Sequence, residues 1–161
     1  MPRFTLRVMH AAWLVSALLL ARYREPLGAL LGVRTMPYQT ISSQADWDHV
    51  ISSDRAVIFA HVSWSLASEV GKQKFSQLAR KWRATRGVPD VSFYLLDLTE
   101  AQASPPEFFS DWIQATPELE RLRQTGAGET VWLANGSISL LQAIYDVTVE
   151  KLEQQTRMAL P

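Results

Sequence analysis

From Tyr38 onward, short apolar runs alternate with segments whose apolar residues recur at helical spacing. Tyr38–Ile41 predicts a short strand. Ser43, with Asp46 three residues on, gives the start of a capped helix through about Ile51 that presents Trp47 and Val50. Ala56–Val62 is almost wholly apolar, as expected of a central strand covered on both faces. A long helix is expected from about Leu66 to Arg86, where Phe75, Leu78, Ala79 and Trp82 form one stripe, with Gly87 at its C-terminal cap. Val91–Leu98 is the next strand. After Pro105-Pro106, Glu107–Gln114 reads as a short amphipathic helix, and Thr116-Pro117-Glu118 restarts another. Thr130–Ala134 and Ser137–Tyr145 are strands joined at Asn135-Gly136, a strong hairpin signal. Thr148 caps a last helix bearing Val149, Leu152 and Leu160. The order β-α-β-α-β-α-β-β-α implies an α/β domain, a mixed sheet sandwiched by helices.

The chain before Tyr38 follows a different pattern. Val8–Ala21 is apolar apart from His10 and Ser16, with Arg3 and Arg7 before it and Arg22 and Arg24 after it. Fourteen helical residues reach about 21 Å, short of a hydrocarbon core of about 30 Å. Counting from Phe4, with Arg7 reaching outward, brings the segment to a marginal span. Residues 1–34 are therefore expected to be an N-terminal hydrophobic helix and linker, and 35–161 the folded domain. A single-pass signal-anchor of unassigned topology is the leading expectation for the segment. A cleaved signal or transit peptide, which would give an exported or organelle-targeted protein, is the alternative; a buried or amphipathic helix remains open.

Composition sharpens both halves. The 161 residues carry a net charge of zero, but the first 45 hold five arginines against the single acid Glu25, leaving the remainder mildly acidic. That remainder lacks the electrostatic footing of a general nucleic-acid binder. The chain has no cysteine. Disulfides, thiolate metal sites and any cysteine nucleophile are excluded together.

The element order, centred on Ala60–Ser68, resembles the thioredoxin family. That family follows an apolar strand with Trp-Cys-x-x-Cys at the start of a long helix. Here the same place reads Trp64-Ser65-Leu66-Ala67-Ser68, and a strand, an Asn-Gly turn, a second strand and a closing helix follow in Thr130–Leu160. The resemblance covers about three quarters of the chain and implies a thioredoxin-like fold. It also marks what is missing. Serines stand at both cysteine positions, and a hydroxyl offers neither an accessible ionisation nor a redox couple there. The family's buried acid corresponds to Phe59. The cis-proline before the last hairpin corresponds to Glu129, followed by Thr130, and a trans peptide is expected there. The resemblance thus implies a domain incapable of dithiol–disulfide exchange, with no catalytic residue of that type and no cofactor.

The expected contact region is Trp64, Ser65, Leu66, Ala67 and Ser68 together with Glu129 and Thr130. Trp64 either stands exposed for a protein or peptide partner or packs under the Asp97–Glu129 connection, which is longer than the family norm. Phe108, Phe109, Trp112 and Ile113 in that connection either cover the sheet or form an added lobe. The leading expectation is a membrane-tethered, redox-inactive protein-binding or chaperone-like module. Alternatives are an accessory subunit of a membrane complex, docking through the basic helix (Lys72, Lys74, Arg80, Lys81, Arg83, Arg86) or the lobe, and a glutathione-binding enzyme using Ser65. His10, His49 and His61 show neither metal-ligand spacing nor a neighbouring carboxylate cluster in the sequence, so no metal is expected.

Overall fold

The computed structural model describes residues 36–99, 107–116 and 126–161. The N-terminal segment 1–34 and the helix expected from residue 117 lie outside them. Among the described residues no helix is long and apolar enough to cross a membrane.

Nine elements follow in order: β1 (Gln39–Ile41), α1 (Gln44–Ser52), β2 (Arg55–His61), α2 (Leu66–Ala84), β3 (Ser92–Asp97), α3 (Glu107–Ala115), β4 (Glu129–Ala134), β5 (Ser137–Ala143) and α4 (Val149–Ala159). The five strands form one sheet in the order β1-β3-β2-β4-β5. β1, β3 and β2 run parallel, while β4 and β5 are antiparallel to their neighbours. The hairpin turns at Asn135 and Gly136, both with positive φ, as a tight two-residue connection requires.

Alternation along each central strand builds two cores. Ile58, Ala60, Tyr94, Leu96, Val131 and Leu133 face α1 and α3, which contribute Trp47, Val50, Phe109 and Ile113. Of the residues expected in the connection's lobe, Phe109 and Ile113 are thus core, and Trp112 packs edge-on against Trp47. Val57, Phe59, Phe93, Leu95 and Trp132 face α2 and α4, which contribute Phe75, Leu78, Trp82 and Leu152, joined by Leu160 just past the end of α4. Burying each such large side chain stabilises the fold by about 1.5–3 kcal/mol. The buried indole of Trp132 donates from Nε1 to Thr156 Oγ1 at 2.9 Å, so its polar atom is satisfied inside the second core.

Helix α2 stops earlier than the glycine signal suggests. Thr85 adopts extended backbone and donates its N–H to Trp82 O, and its hydroxyl donates to Lys81 O. Trp82 Nε1 in turn donates to Pro89 O, drawing the chain back toward the sheet. Gly87 keeps a positive φ, but in the turn beyond the cap.

Candidate functional site

Strand β2 delivers the chain to a turn at Ser63-Trp64 and then into α2. Ser65 is the N-cap: its Oγ accepts from Ser68 N at 3.4 Å, and its carbonyl accepts from Glu69 N. Ser68 is fully buried, and its Oγ accepts from Val62 N at 3.0 Å. The two serines therefore hold backbone donors at the strand–helix junction that would otherwise lack partners. The turn is tied from a second side as well. Ser63 N donates to Thr99 Oγ1, Thr99 donates from both N and Oγ1 to Asp97 Oδ1, and Leu98 N donates to His61 O.

On this braced turn Trp64 is 55% exposed and Leu66 81%. Trp64 is nonetheless packed on one side. A Cβ placed on Gly126, whose φ is +52°, would fall 2.3 Å from the indole Cη2, so only a glycine lets this backbone lie against the ring. The end of the long connection lies against Trp64 at Gly126, and more than half of the residue is exposed.

Gly128 lies close to the start of α2 as well. A Cβ there would lie 2.8 Å from Phe59 and 3.3 Å from the Ser68 Cα. Gly126 and Gly128 thus lie against the start of α2 and the turn before it. Glu129 and Thr130, grouped with the contact region by sequence, have buried side chains instead. Strand β4 runs between β2 and β5, and Thr130 pairs with Phe59 on one side and Gln142 on the other. That position encloses them. No peptide bond among the described residues is cis, so the Glu129 peptide is trans as expected.

Phe59, at the position of the family's acid, is fully buried and stacks on Phe75 with centroids 5.4 Å apart. A hydrocarbon core occupies the place of a proton-transfer group.

Spacing along the chain gives no sign of what surrounds His61. Its ring is 2% exposed, on the same face of β2 as Phe59. Nε2 lies 2.8 Å from Glu69 Oε1, Nδ1 lies 3.5 Å from Asp97 Oδ2, and Lys72 Nζ lies 3.5 Å from Nε2. The expectation that no carboxylates gather at this histidine is corrected: Glu69 is eight residues away and Asp97 thirty-six, and the β2-α2-β3 crossover unites them. The carboxylates meet opposite ring nitrogens and so do not converge on one point, and no metal-holding group of side chains occurs among the described residues. Partial burial opposes ionisation of Asp97. Hydrogen bonds from Thr99, with His61 close by, outweigh it and hold the carboxyl below its ordinary range.

The basic face of α2 is partly spent within the molecule. Lys74 donates to Tyr145 O, Lys72 approaches His61, and Lys81 pairs with Glu153 at 2.8 Å. Arg80 and Arg83 remain exposed on the helix, and Arg86 beyond its end.

No protein-family model matches the sequence, and no curated protein matches it. Solved structures do. Thioredoxin from Malassezia sympodialis superposes with a TM-score of 0.54 at 18% identity, over 77% of this chain and 91% of that one. A point-mutant thioredoxin from Halobacterium salinarum gives 0.54 at 14% identity, over 79% and 95%. Likeness at such identity speaks for the fold alone. The chain has the thioredoxin fold, and it has it without the cysteine pair, Ser65 and Ser68 standing at the head of the long helix.

Proposed function

We propose that this is a redox-inactive thioredoxin-fold module that binds a protein or peptide partner through the Trp64–Leu66 turn, tethered to a membrane by residues 1–34. The observation that carries the reading is a pair of exposed large apolar side chains, Trp64 on the turn and Leu66 at the first position of α2, at a junction whose backbone is braced by Ser65, Ser68 and Thr99, with Gly126 against the indole. A rigid turn offers an aromatic anchor at little entropic cost to the complex. Non-catalytic copies of this fold in disulfide isomerases, which bind clients, supply the analogy. A photo-crosslinking residue in place of Leu66 is expected to capture an unfolded peptide in preference to one in place of Ile51, an exposed apolar residue elsewhere. Equal capture at both positions removes the reading. Deleting residues 1–34 is expected to move the protein from the membrane pellet to the supernatant; retention in the pellet contradicts the tether.

A second reading, an accessory subunit docked through α2, draws on the exposed arginines. Because Lys72 and Lys74 are engaged internally, reversing their charges would disturb packing as well as docking. Arg80→Glu with Arg83→Glu is the cleaner variant, expected on this reading to lose one stoichiometric partner after mild detergent extraction.

A further inference from the structure

Among the described residues, the contact role leaves the buried ring of His61 unused. Both of its carboxylate neighbours stand one bond from the turn that presents Trp64. Asp97 Oδ1 binds Thr99, whose Oγ1 accepts from Ser63 N, while Asp97 Oδ2 faces the His61 ring. Glu69, at the other ring nitrogen, donates its backbone N–H to Ser65 O. The ring therefore bridges the two ends of the turn's bracing, one on β3 and one on α2. Glu69 and Lys72 from α2 and Asp97 from β3 are the charged groups around it among the described residues.

A neutral imidazole has one N–H and an imidazolium has two. The short contact to Glu69 takes the Nε2 proton. Nδ1 then either turns a lone pair toward the Asp97 carboxylate or carries a second proton and donates to it. The first arrangement is repulsive; the second is a charge-assisted hydrogen bond.

We propose that Asp97–His61–Glu69 is a proton-responsive clamp on the Trp64–Leu66 turn, closed when the ring carries both protons and slackened on the Asp97 side when it loses one. The clamp stands on geometry alone, whereas its meaning for partner binding rests on the contact role proposed above. His61 is then a positioning residue, and protonation of its ring tightens the apolar turn.

The test is amide hydrogen exchange of residues 63–68 in the full-length protein, corrected for intrinsic rates, together with titration of an unfolded peptide, both between about pH 5 and pH 8. Protection of the turn is expected to be about fivefold greater at the acidic end, the worth of roughly one hydrogen bond. His61→Gln, which bonds but does not titrate, is expected to abolish the difference. Should that variant fold poorly, Asp97→Asn, whose amide can face Nδ1 in either protonation state, is expected to abolish it as well. Protection that is independent of pH in the wild type, or unchanged in its pH dependence in these variants, overturns the clamp. A pH-dependent turn that binds no peptide leaves the clamp standing and removes the contact role.

Discussion

Gly126 and Asp97 show how single residues hold this site. At Gly126 the positive φ and the indole, which would lie 2.3 Å from any Cβ there, act together. Gly126→Ala is expected to cost about 1–2 kcal/mol in denaturant unfolding and to shift the Trp64 indole resonance. An unmoved resonance would show that the ring does not depend on that backbone. Asp97 carries a linkage that can be signed. Its carboxyl is held below its ordinary range in the folded state, so its contribution is present above the unfolded value of about 3.9 and is lost as pH falls through the folded one. Asp97→Asn is expected to lower the urea midpoint at pH 7, with the gap to wild type closing only below about pH 4; a gap that persists there contradicts the assignment. At this scale the sequence was partly transparent. Trp64, the two serines and Phe59 could be placed by their spacing within one strand–turn–helix. The surroundings of His61 could not, because both carboxylates reach it only through the crossover.

The strand–helix junction is where the elements depend most on polar detail. Ser65 caps α2 through a long hydrogen bond at 3.4 Å, whereas buried Ser68 satisfies Val62 N at 3.0 Å. Ser68→Ala leaves a buried donor unpaired and is expected to cost about 1–3 kcal/mol. Ser65→Ala removes a partly exposed cap and is expected to cost about 0.5–1 kcal/mol. Chemical denaturation of the two variants checks the order, and the reverse order would contradict these roles. Element types were legible from periodicity and caps: Ser43 and Thr148 cap helices as their positions predict. Ends were less so. β2 and β3 are shifted or trimmed by a residue, and α2 ends at Ala84 because Thr85 and Trp82 turn the chain before Gly87 is reached.

Among the described residues, alternation in the central strands sets two apolar layers on either side of the sheet, and His61 meets its carboxylate neighbours where β2 and β3 end. The mixed sheet between helices could be inferred from element order, and the thioredoxin fold from the order together with Trp64-Ser-x-x-Ser. Which groups reach the surface could not. Glu129 and Thr130 lie beside the site in sequence logic but inside β4 in space, and the glycines around them make the approach. The redox machinery is missing in more than its thiols. Ser65→Cys with Ser68→Cys is expected to reduce a small disulfide substrate no faster than a simple dithiol, since Phe59 supplies no acid and position 68 is fully buried. Rapid turnover by that variant would contradict this account of the core. The contact role itself is tested most directly by titrating an unfolded peptide onto the full-length, detergent-solubilised protein and its Trp64→Ala and Met158→Ala variants. Both residues are large and exposed, at 55% and 74%, but only Trp64 stands on the braced turn. Trp64→Ala is expected to weaken binding by about tenfold or more, as loss of a central aromatic anchor does, with Met158→Ala leaving it unchanged. Equal affinity in all three proteins would contradict the account.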